Sequence, residues 1–192
     1  IAFEAQMRRT LENGTAFLNV TEAALSGATD LLQRVRELTV QAANDTLGVS
    51  ERRNIAAEVN QIVEQLAQVA NTSFGGVYIF SGHKTTTPAY AVGGTPPAAI
   101  TWQGDYGERL RRVSTRDVVP VNIIGDQVFG NLFGRLIQLR DALQSGAPGT
   151  QVRPYIADID SGLERVLNAR AEVGARLNRF EATAFRSEET DT

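Results

Sequence analysis

The sequence predicts an α+β fold in which an elongated antiparallel helical bundle carries a small inserted β domain at one end. Apolar residues repeat every seven positions in both end regions of the 192-residue chain, and Gly, Pro and Thr are concentrated between those regions. Apolar seams that lie far apart in sequence are expected to bury one another. Residues 1–76 and 131–192 are therefore predicted to form one helical rod domain, and residues 77–130 the inserted β domain.

The first helix is predicted from about Phe3 to Asn44. Its apolar seam consists of leucines seven residues apart, namely Leu11, Leu18, Leu25 and Leu32. At 1.5 Å per residue, some 40 residues span about 60 Å. A second apolar row lies one position earlier, at Phe17, Ala24, Leu31 and Leu38. This stripe is too broad for a two-stranded coil, so the helix should pack against more than one neighbour. Small residues at Gly14, Thr21, Ala28 and Ala42 would let a neighbouring helix approach closely.

A short turn over residues 44–50 separates the first helix from a second one. Ser50 is the candidate N-cap, and the second helix is predicted from Glu51 to about Asn71. Its apolar positions, again spaced four and three apart, are Ile55, Val59, Ile62, Leu66 and Val69. Two strongly periodic helices with a short connection form an antiparallel hairpin.

The middle of the chain reads as short strands separated by turns that are rich in Gly and Pro. The predicted strands are Val77–Ser81, Ala89–Val92, Ile100–Gln103, Arg109–Ser114 and Val118–Ile124. A hairpin turn is expected over residues 103–107. So few short strands would be only marginally stable alone.

Helical periodicity returns from Phe129 to about Gly146, and the last helix is predicted to begin near Pro154. Its seam runs without a break through Ile156, Ile159, Leu163, Val166, Arg170, Val173, Leu177, Phe180 and Ala184. Arg170 is the one charge in this seam. Either its side chain reaches solvent at a wide point of the bundle, or it pairs with a carboxylate that fixes the register of the helices.

Composition excludes several function classes. The net charge of −3 and the lack of an Arg/Lys run with interleaved aromatics argue against nucleic-acid binding. The sequence contains no cysteine and a single histidine, His83, so we expect no metal site and no cofactor. No apolar run is long enough to span a membrane. The chain begins at Ile1 within a helical pattern, which predicts that its N-terminus is trimmed.

One segment of the middle region could carry chemistry. Asp105 lies near Trp102 and Tyr106, as in a sugar-binding or glycosidase-like site, and Glu108 is the obvious second carboxylate. The favoured interpretation is a turn whose aromatic residues cover a small core. His83 is interpreted as a loop residue. The chain is therefore predicted not to be an enzyme, with a carbohydrate-binding or hydrolytic module on a helical stalk as the alternative from another class.

Three stretches resemble the flagellin superfamily. They are residues 32–46 (LQRVRELTVQAANDT), residues 53–62 (RNIAAEVNQI) and residues 168–181 (NARAEVGARLNRFE). Residues 71–82 (NTSFGGVYIFSG) are similar to the hook–filament junction proteins of that superfamily more than to filament flagellins. The resemblance implies a helical rod like the D1 domain of flagellin, with filament flagellin itself as the alternative identity. It also implies that the chain is a core fragment lacking both terminal segments of the family.

The resemblance also implies a role and partners. It implies an extracellular structural adaptor that joins hook to filament and leaves the cell through the flagellar secretion channel. The expected partners are other hook-associated proteins, flagellin and further copies of the chain, with an export chaperone bound through a C-terminal segment beyond this chain. The candidate subunit-contact residues are Gln33, Arg34, Arg36, Glu37, Gln41, Asn44, Arg176, Asn178 and Arg179. No nucleic acid or membrane is expected among the partners.

Overall fold

The computed structural model describes residues 2–114 and 117–190. Its helices are α1 (Ala2–Ala42), α2 (Val49–Ala70), α3 (Gly125–Phe129), α4 (Leu132–Gln144), α5 (Gly149–Val152) and α6 (Tyr155–Thr190). Its strands are β1 (Ser73–Phe74), β2 (Val77–Tyr78), β3 (Tyr90–Gly93), β4 (Ala99–Trp102), β5 (Leu110–Arg112) and β6 (Val118–Pro120). The predicted α+β class, a long antiparallel bundle with short strands, is confirmed.

The long axis of the molecule is the antiparallel pair α1 and α6. The two helices run in opposite directions, because residues later in α1 contact residues earlier in α6. Gly14 lies against Phe180, and Arg36 contacts Asp160. The predicted leucine seam of α1 is buried along its whole length. Burial of each such side chain stabilises the folded state by about 1.5–3 kcal/mol relative to leaving it exposed.

Helices α2 and α4 pack beside this pair and widen the bundle over part of its length. Gly27 of α1 approaches Val69 of α2, and Arg53 of α2 donates to the carbonyl oxygen of Gln144 of α4 at 3.2 Å. In the second apolar row of α1, Phe17, Ala24 and Leu38 are buried. The broad stripe therefore does serve more than one neighbour, as predicted.

The start of α2 differs from its prediction. The helix begins at Val49 after Gly48, and no side chain caps it, so Ser50 is not the N-cap. The turn is instead held by the buried Arg52, whose guanidinium donates to the carbonyl oxygens of Ala42 (3.3 Å) and Asn44 (3.1 Å). Ala42 is the last residue of α1, where a helix leaves carbonyls without backbone partners of its own, and Asn44 lies in the turn that follows.

The charged position in the α6 seam is paired. Arg170 donates from Nε and Nη2 to Glu22 Oε1 of α1, at 2.9 and 2.7 Å, and from Nη1 to Thr29 Oγ1 at 3.4 Å. Of the two interpretations, the ion pair is confirmed, and its role in register stays a prediction. Both side chains are about one-third exposed (31% and 34%), so solvent screening limits the pair to about 1 kcal/mol.

The strands form three separate antiparallel pairs, β1–β2, β3–β4 and β5–β6. The predicted strand Val77–Ser81 is shorter than expected. It ends at Tyr78. Ile79 still donates its backbone N–H to the carbonyl oxygen of Thr72 at 3.0 Å, and both Ile79 and Phe80 are buried in the core. Gly75 and Gly76 both have positive φ (59° and 80°), which fits a two-residue hairpin turn.

Three further predictions for the middle region are wrong in detail. Residues 103–107 are not a hairpin turn, since β4 pairs with β3 and β5 pairs with β6. Strands β5 and β6 are shorter than predicted, and β6 ends at Pro120, which has no N–H for the ladder. The predicted helix from Phe129 to Gly146 is divided at Gly130, whose φ is +49°.

Aromatic side chains join the β segment to the helices. Tyr90 lies 4.9 Å from Phe133 of α4 and 5.3 Å from Trp102, centroid to centroid. Phe80 meets Phe129 of α3 edge to face at 5.7 Å. These residues belong to the same hydrophobic cluster as the leucines of the rod. The division into a rod domain and a separate β domain stays a prediction.

Candidate functional site

A polar face on the C-terminal half of α1 carries four of the nine predicted contact residues. Gln33, Arg34, Glu37 and Gln41 are all exposed, and their spacing of three and four places them on one side of the helix. The neighbouring positions Leu32, Val35, Leu38, Thr39 and Ala42 are buried against the bundle. We call Gln33, Arg34, Glu37 and Gln41 the α1 polar face.

Arg34 connects this face to α2. Its Nε donates to Glu58 Oε1 at 2.7 Å and its Nη1 to Glu37 Oε2 at 3.3 Å. The hydrogen bond and charge of Glu58 raise the pKa of Arg34 above its usual value. Arg34 and Glu58 remain substantially exposed (51% and 40%). The guanidinium of Arg34 is therefore held in place by Glu58 and can still donate a hydrogen bond to a neighbouring molecule.

Arg36 and Asn44 have different surroundings. Arg36 points to the other side of α1 and pairs with Asp160 of α6 at 2.6 Å, and this hydrogen bond raises the pKa of Arg36. Asn44 Oδ1 accepts hydrogen bonds from the Thr46 backbone N–H (3.1 Å) and hydroxyl (2.9 Å). Asn44 therefore stabilises the turn after α1, and neither residue extends the α1 polar face.

The three predicted contact residues of α6 lie elsewhere on the rod. Arg176 donates to the carbonyl oxygen of Asn122 at 2.7 Å and pairs with Glu172, and its side chain is only 14% exposed. Arg179 pairs with Asp117 at 3.5 Å, and Asn178 is exposed. Because Phe180 lies beside Gly14, this group is about 25 Å along the rod from the α1 polar face. The structure does not bring the two groups together.

The aromatic segment of the middle region is a structural loop. Asp105 Oδ1 accepts hydrogen bonds from the backbone N–H groups of His83 (2.6 Å) and Gly107 (2.9 Å), which lower the pKa of Asp105. Tyr106 donates its hydroxyl hydrogen to Asp126, and this bond raises the pKa of Tyr106. A glycosidase acid needs a raised carboxyl pKa, so this arrangement does not support the hydrolase alternative.

Replacing Asp105 with asparagine is expected to lower the melting temperature most near neutral pH. A carboxyl with a depressed folded-state pKa stabilises the fold above its unfolded pKa of about 4, and that contribution is lost as pH falls through the lower folded value. The difference in melting temperature between wild type and variant should therefore shrink in acid. The control is Glu108→Gln, since the Glu108 side chain makes no hydrogen bond among the described residues. A difference that stays constant from pH 7 to pH 2 would contradict this account.

The sequence analysis missed Arg140, which is almost fully buried in α4. Its guanidinium donates to Asp141 Oδ1 (2.9 and 2.8 Å), to Asn60 Oδ1 of α2 (2.9 Å) and to the carbonyl oxygen of Pro97 (2.6 Å). It thus fixes the β3–β4 turn to both helices. Arg140 lies one helical turn after the buried Leu136, and this spacing indicates that Arg140 is on the buried side of α4.

The described residues contain neither a metal-binding cluster nor a membrane-spanning helix. In residues 2–114 and 117–190, no cluster of three or more His, Asp or Glu side chains could hold a metal ion. Within the same ranges, no helix combines the length and apolarity that crossing a bilayer requires.

Comparison with known proteins identifies the relatives of this chain. Residues 1–85 match the family described as "Bacterial flagellin N-terminal helical region". The chain is 30% identical over 182 residues to the "Flagellar filament 30.7 kDa core protein" of Treponema maltophilum, covering 93% of this chain and 59% of that protein. It is 29% identical to "Flagellar hook-associated protein 3" of Escherichia coli K12, covering 88% of this chain and 60% of that protein. The chain thus spans about three-fifths of these curated relatives.

A solved structure extends the likeness to the whole fold. FlgL of Bacillus cereus superimposes with a TM-score of 0.86 at 26% sequence identity, over 99% of this chain and 92% of that chain. The match includes the β segment as well as the helices, because almost the entire chain is covered.

Proposed function

We propose that this member of the flagellin superfamily is a structural subunit of the bacterial flagellum, which joins hook to filament by lateral and axial packing against neighbouring subunits. The observation that carries the proposal is the likeness to FlgL over nearly the whole length of both chains. The likeness to hook-associated protein 3 supports the same role. The proposal assigns packing surfaces to the chain and no enzymatic activity.

The proposal also names a location and partners. The chain acts outside the cell, in the flagellum, after export through the flagellar secretion channel with the help of a chaperone. Its neighbours in the assembly are other hook-associated proteins, flagellin and further copies of itself. The rod suits such packing because polar and charged side chains cover its outer faces while its apolar seams are buried.

Immunogold electron microscopy of isolated flagella tests this function. An antibody raised against the chain should label a narrow band where hook meets filament. Label along the whole filament would instead support filament flagellin, the alternative favoured by the likeness to the Treponema filament protein. Flagella without label would contradict both.

We further propose that the α1 polar face contacts a neighbouring subunit. In a strain whose gene is replaced by the Arg34→Ala variant, hook–filament assembly and motility should fall several-fold, while the melting temperature of the purified chain changes little. The small change is expected because both side chains of the Arg34–Glu58 pair are exposed and solvent screens their attraction.

Glu58→Ala is the matched control for this experiment, since it breaks the same ion pair from the side of α2. If the guanidinium of Arg34 itself contacts the neighbour, Glu58→Ala should leave assembly almost normal. Equal assembly defects in the two variants would mean that assembly requires the internal Arg34–Glu58 ion pair. Normal assembly with Arg34→Ala would show that Arg34 does not contact the neighbouring subunit.

A further inference from the structure

A recess on the flank of the rod is lined, among the described residues, by two arginines and no carboxylate. It is an open cavity of about 440 Å³ between α1 and the β1–β2 and β5–β6 hairpins. The lining residues that matter are Asn13, Phe17, Phe74, Val77, Arg109 and Arg111. We call it the arginine recess. It lies beside the N-terminal half of α1, away from the α1 polar face.

Arg109 is the unusual residue of the recess. Its guanidinium carbon lies 5.0 Å from the centroid of the Phe17 ring, and its Nη1 is buried without a hydrogen-bond partner among the described residues. Burial lowers the pKa of Arg109, and the charge of Arg111 lowers it further. A buried charged donor without an acceptor is unfavourable, so this geometry favours the arrival of an anion.

The other donors of the recess are also available. Arg111 makes one long hydrogen bond, from Nη1 to the carbonyl oxygen of Leu110 at 3.4 Å. Asn13 is exposed and its amide makes no hydrogen bond among the described residues. By contrast, Arg36, Arg135 and Arg170, which also join helices, each contact a carboxylate of this chain.

The shape and charge of the recess fit an acidic side chain. Guanidinium groups bind carboxylates through paired, charge-assisted hydrogen bonds. The apolar side chains of Phe74 and Val77 can cover the methylene groups of a glutamate. The chain itself carries exposed carboxylates that have no ion-pair partner among the described residues, among them Glu51, Glu164 and Glu181.

We propose that the arginine recess receives an acidic side chain from a second copy of this chain in the assembled structure. The proposal rests on the proposed function, because it requires copies of the chain to lie side by side. We choose a second copy as the partner because its charges complement those of the recess. The recess offers unpaired guanidinium groups, and the chain, with its net charge of −3, offers unpaired carboxylates on its own surface.

Photo-crosslinking in isolated flagella tests the proposal. The photoreactive residue p-benzoylphenylalanine replaces Asn13 at the rim of the recess, and the adducts are identified by mass spectrometry. The expected product is a homodimer in which Asn13→p-benzoylphenylalanine is joined to a peptide that contains an exposed Asp or Glu. Added separately, Arg109→Gln and Arg111→Gln should each lower the yield at least fivefold. The matched control Arg153→Gln removes one charge from an exposed residue outside the recess and should leave the yield unchanged.

The outcomes separate this proposal from the proposed function. If the protein is present in flagella but yields no homodimer, or yields an adduct with a different protein, the recess does not bind a second copy. A homodimer yield that does not respond to the arginine variants also overturns the proposal. Absence of the protein from flagella would overturn the proposed function and the recess together. If Arg109→Gln fails to fold, the proposal is tested with Arg111→Gln alone, because the side chain of Arg111 is not fully buried.

Discussion

Replacing Phe133 with alanine is expected to lower the free energy of unfolding by about 3–5 kcal/mol, a large part of the stability of a chain of this size. Phe133 is 1% exposed in α4 and contacts the rings of Tyr90 (4.9 Å) and Phe129 (5.7 Å). The variant loses the burial of a whole ring. It also leaves a cavity that the close packing of α4 against the β segment cannot fill.

Denaturant unfolding followed by circular dichroism measures the effect, with Val40→Ala as the control. Val40 is 47% exposed on α1, so its truncation should change the free energy by less than about 0.5 kcal/mol. The same curves test the predicted division of the chain. A rod and a β domain that fold independently would give two unfolding transitions. Phe133→Ala would then shift the denaturant midpoints of the two transitions by different amounts. A single transition that moves as a whole would mean that one core unites them. A loss below about 1 kcal/mol would contradict the cavity argument.

The helices could be predicted from the sequence because their signal is local. Each apolar seam repeats within its own helix, and a seam of 40 residues has few alternatives to a long helix. Five of the six strands were predicted at nearly the right places, but β1, the strand lengths and the strand partners were not. Which strand pairs with which depends on turn geometry, such as the positive φ angles at Gly75 and Gly76, and on where Phe80 finds its core contacts.

The candidate contact residues show the same limit. Helical spacing indicates that Gln33, Arg34, Glu37 and Gln41 share one side of α1, and all four are exposed. It could not separate Arg36, because the rotation of α1 between α2 and α6 decides which arginine meets Asp160. It could not find the unpartnered Arg109 either, since that observation requires knowing that no carboxylate of the described residues comes near it.

The second large effect is expected where Gly14 of α1 meets Phe180 of α6. Gly14 of α1 is buried directly against the ring of Phe180 of α6, which is fully buried. A Cβ atom at position 14 would overlap that ring, so the absence of a side chain is what allows the two helices to meet there. The sequence-based expectation that small residues permit close packing holds at this position for a specific steric reason.

Gly14→Val is therefore expected to lower the free energy of unfolding by about 2–3 kcal/mol, because the valine must displace either Phe180 or the whole of α6. Gly134→Val in α4 is the matched control, since a side chain there meets no atom within 4 Å. That control should be neutral or slightly stabilising, because valine has a higher helix propensity than glycine. Equal effects at the two positions would show that backbone preference, and not the Phe180 contact, decides the outcome.

A compensating variant makes the test specific to the contact. Phe180→Ala alone should cost about 3–5 kcal/mol, since it leaves a cavity opposite Gly14. If the two positions are coupled through direct contact, valine at position 14 should fill part of that cavity. The double variant should then be more stable than the sum of the single losses predicts, by about 1–3 kcal/mol. Strictly additive losses would mean that α1 and α6 adjust independently at this point, and that the steric account of the rod seam is wrong.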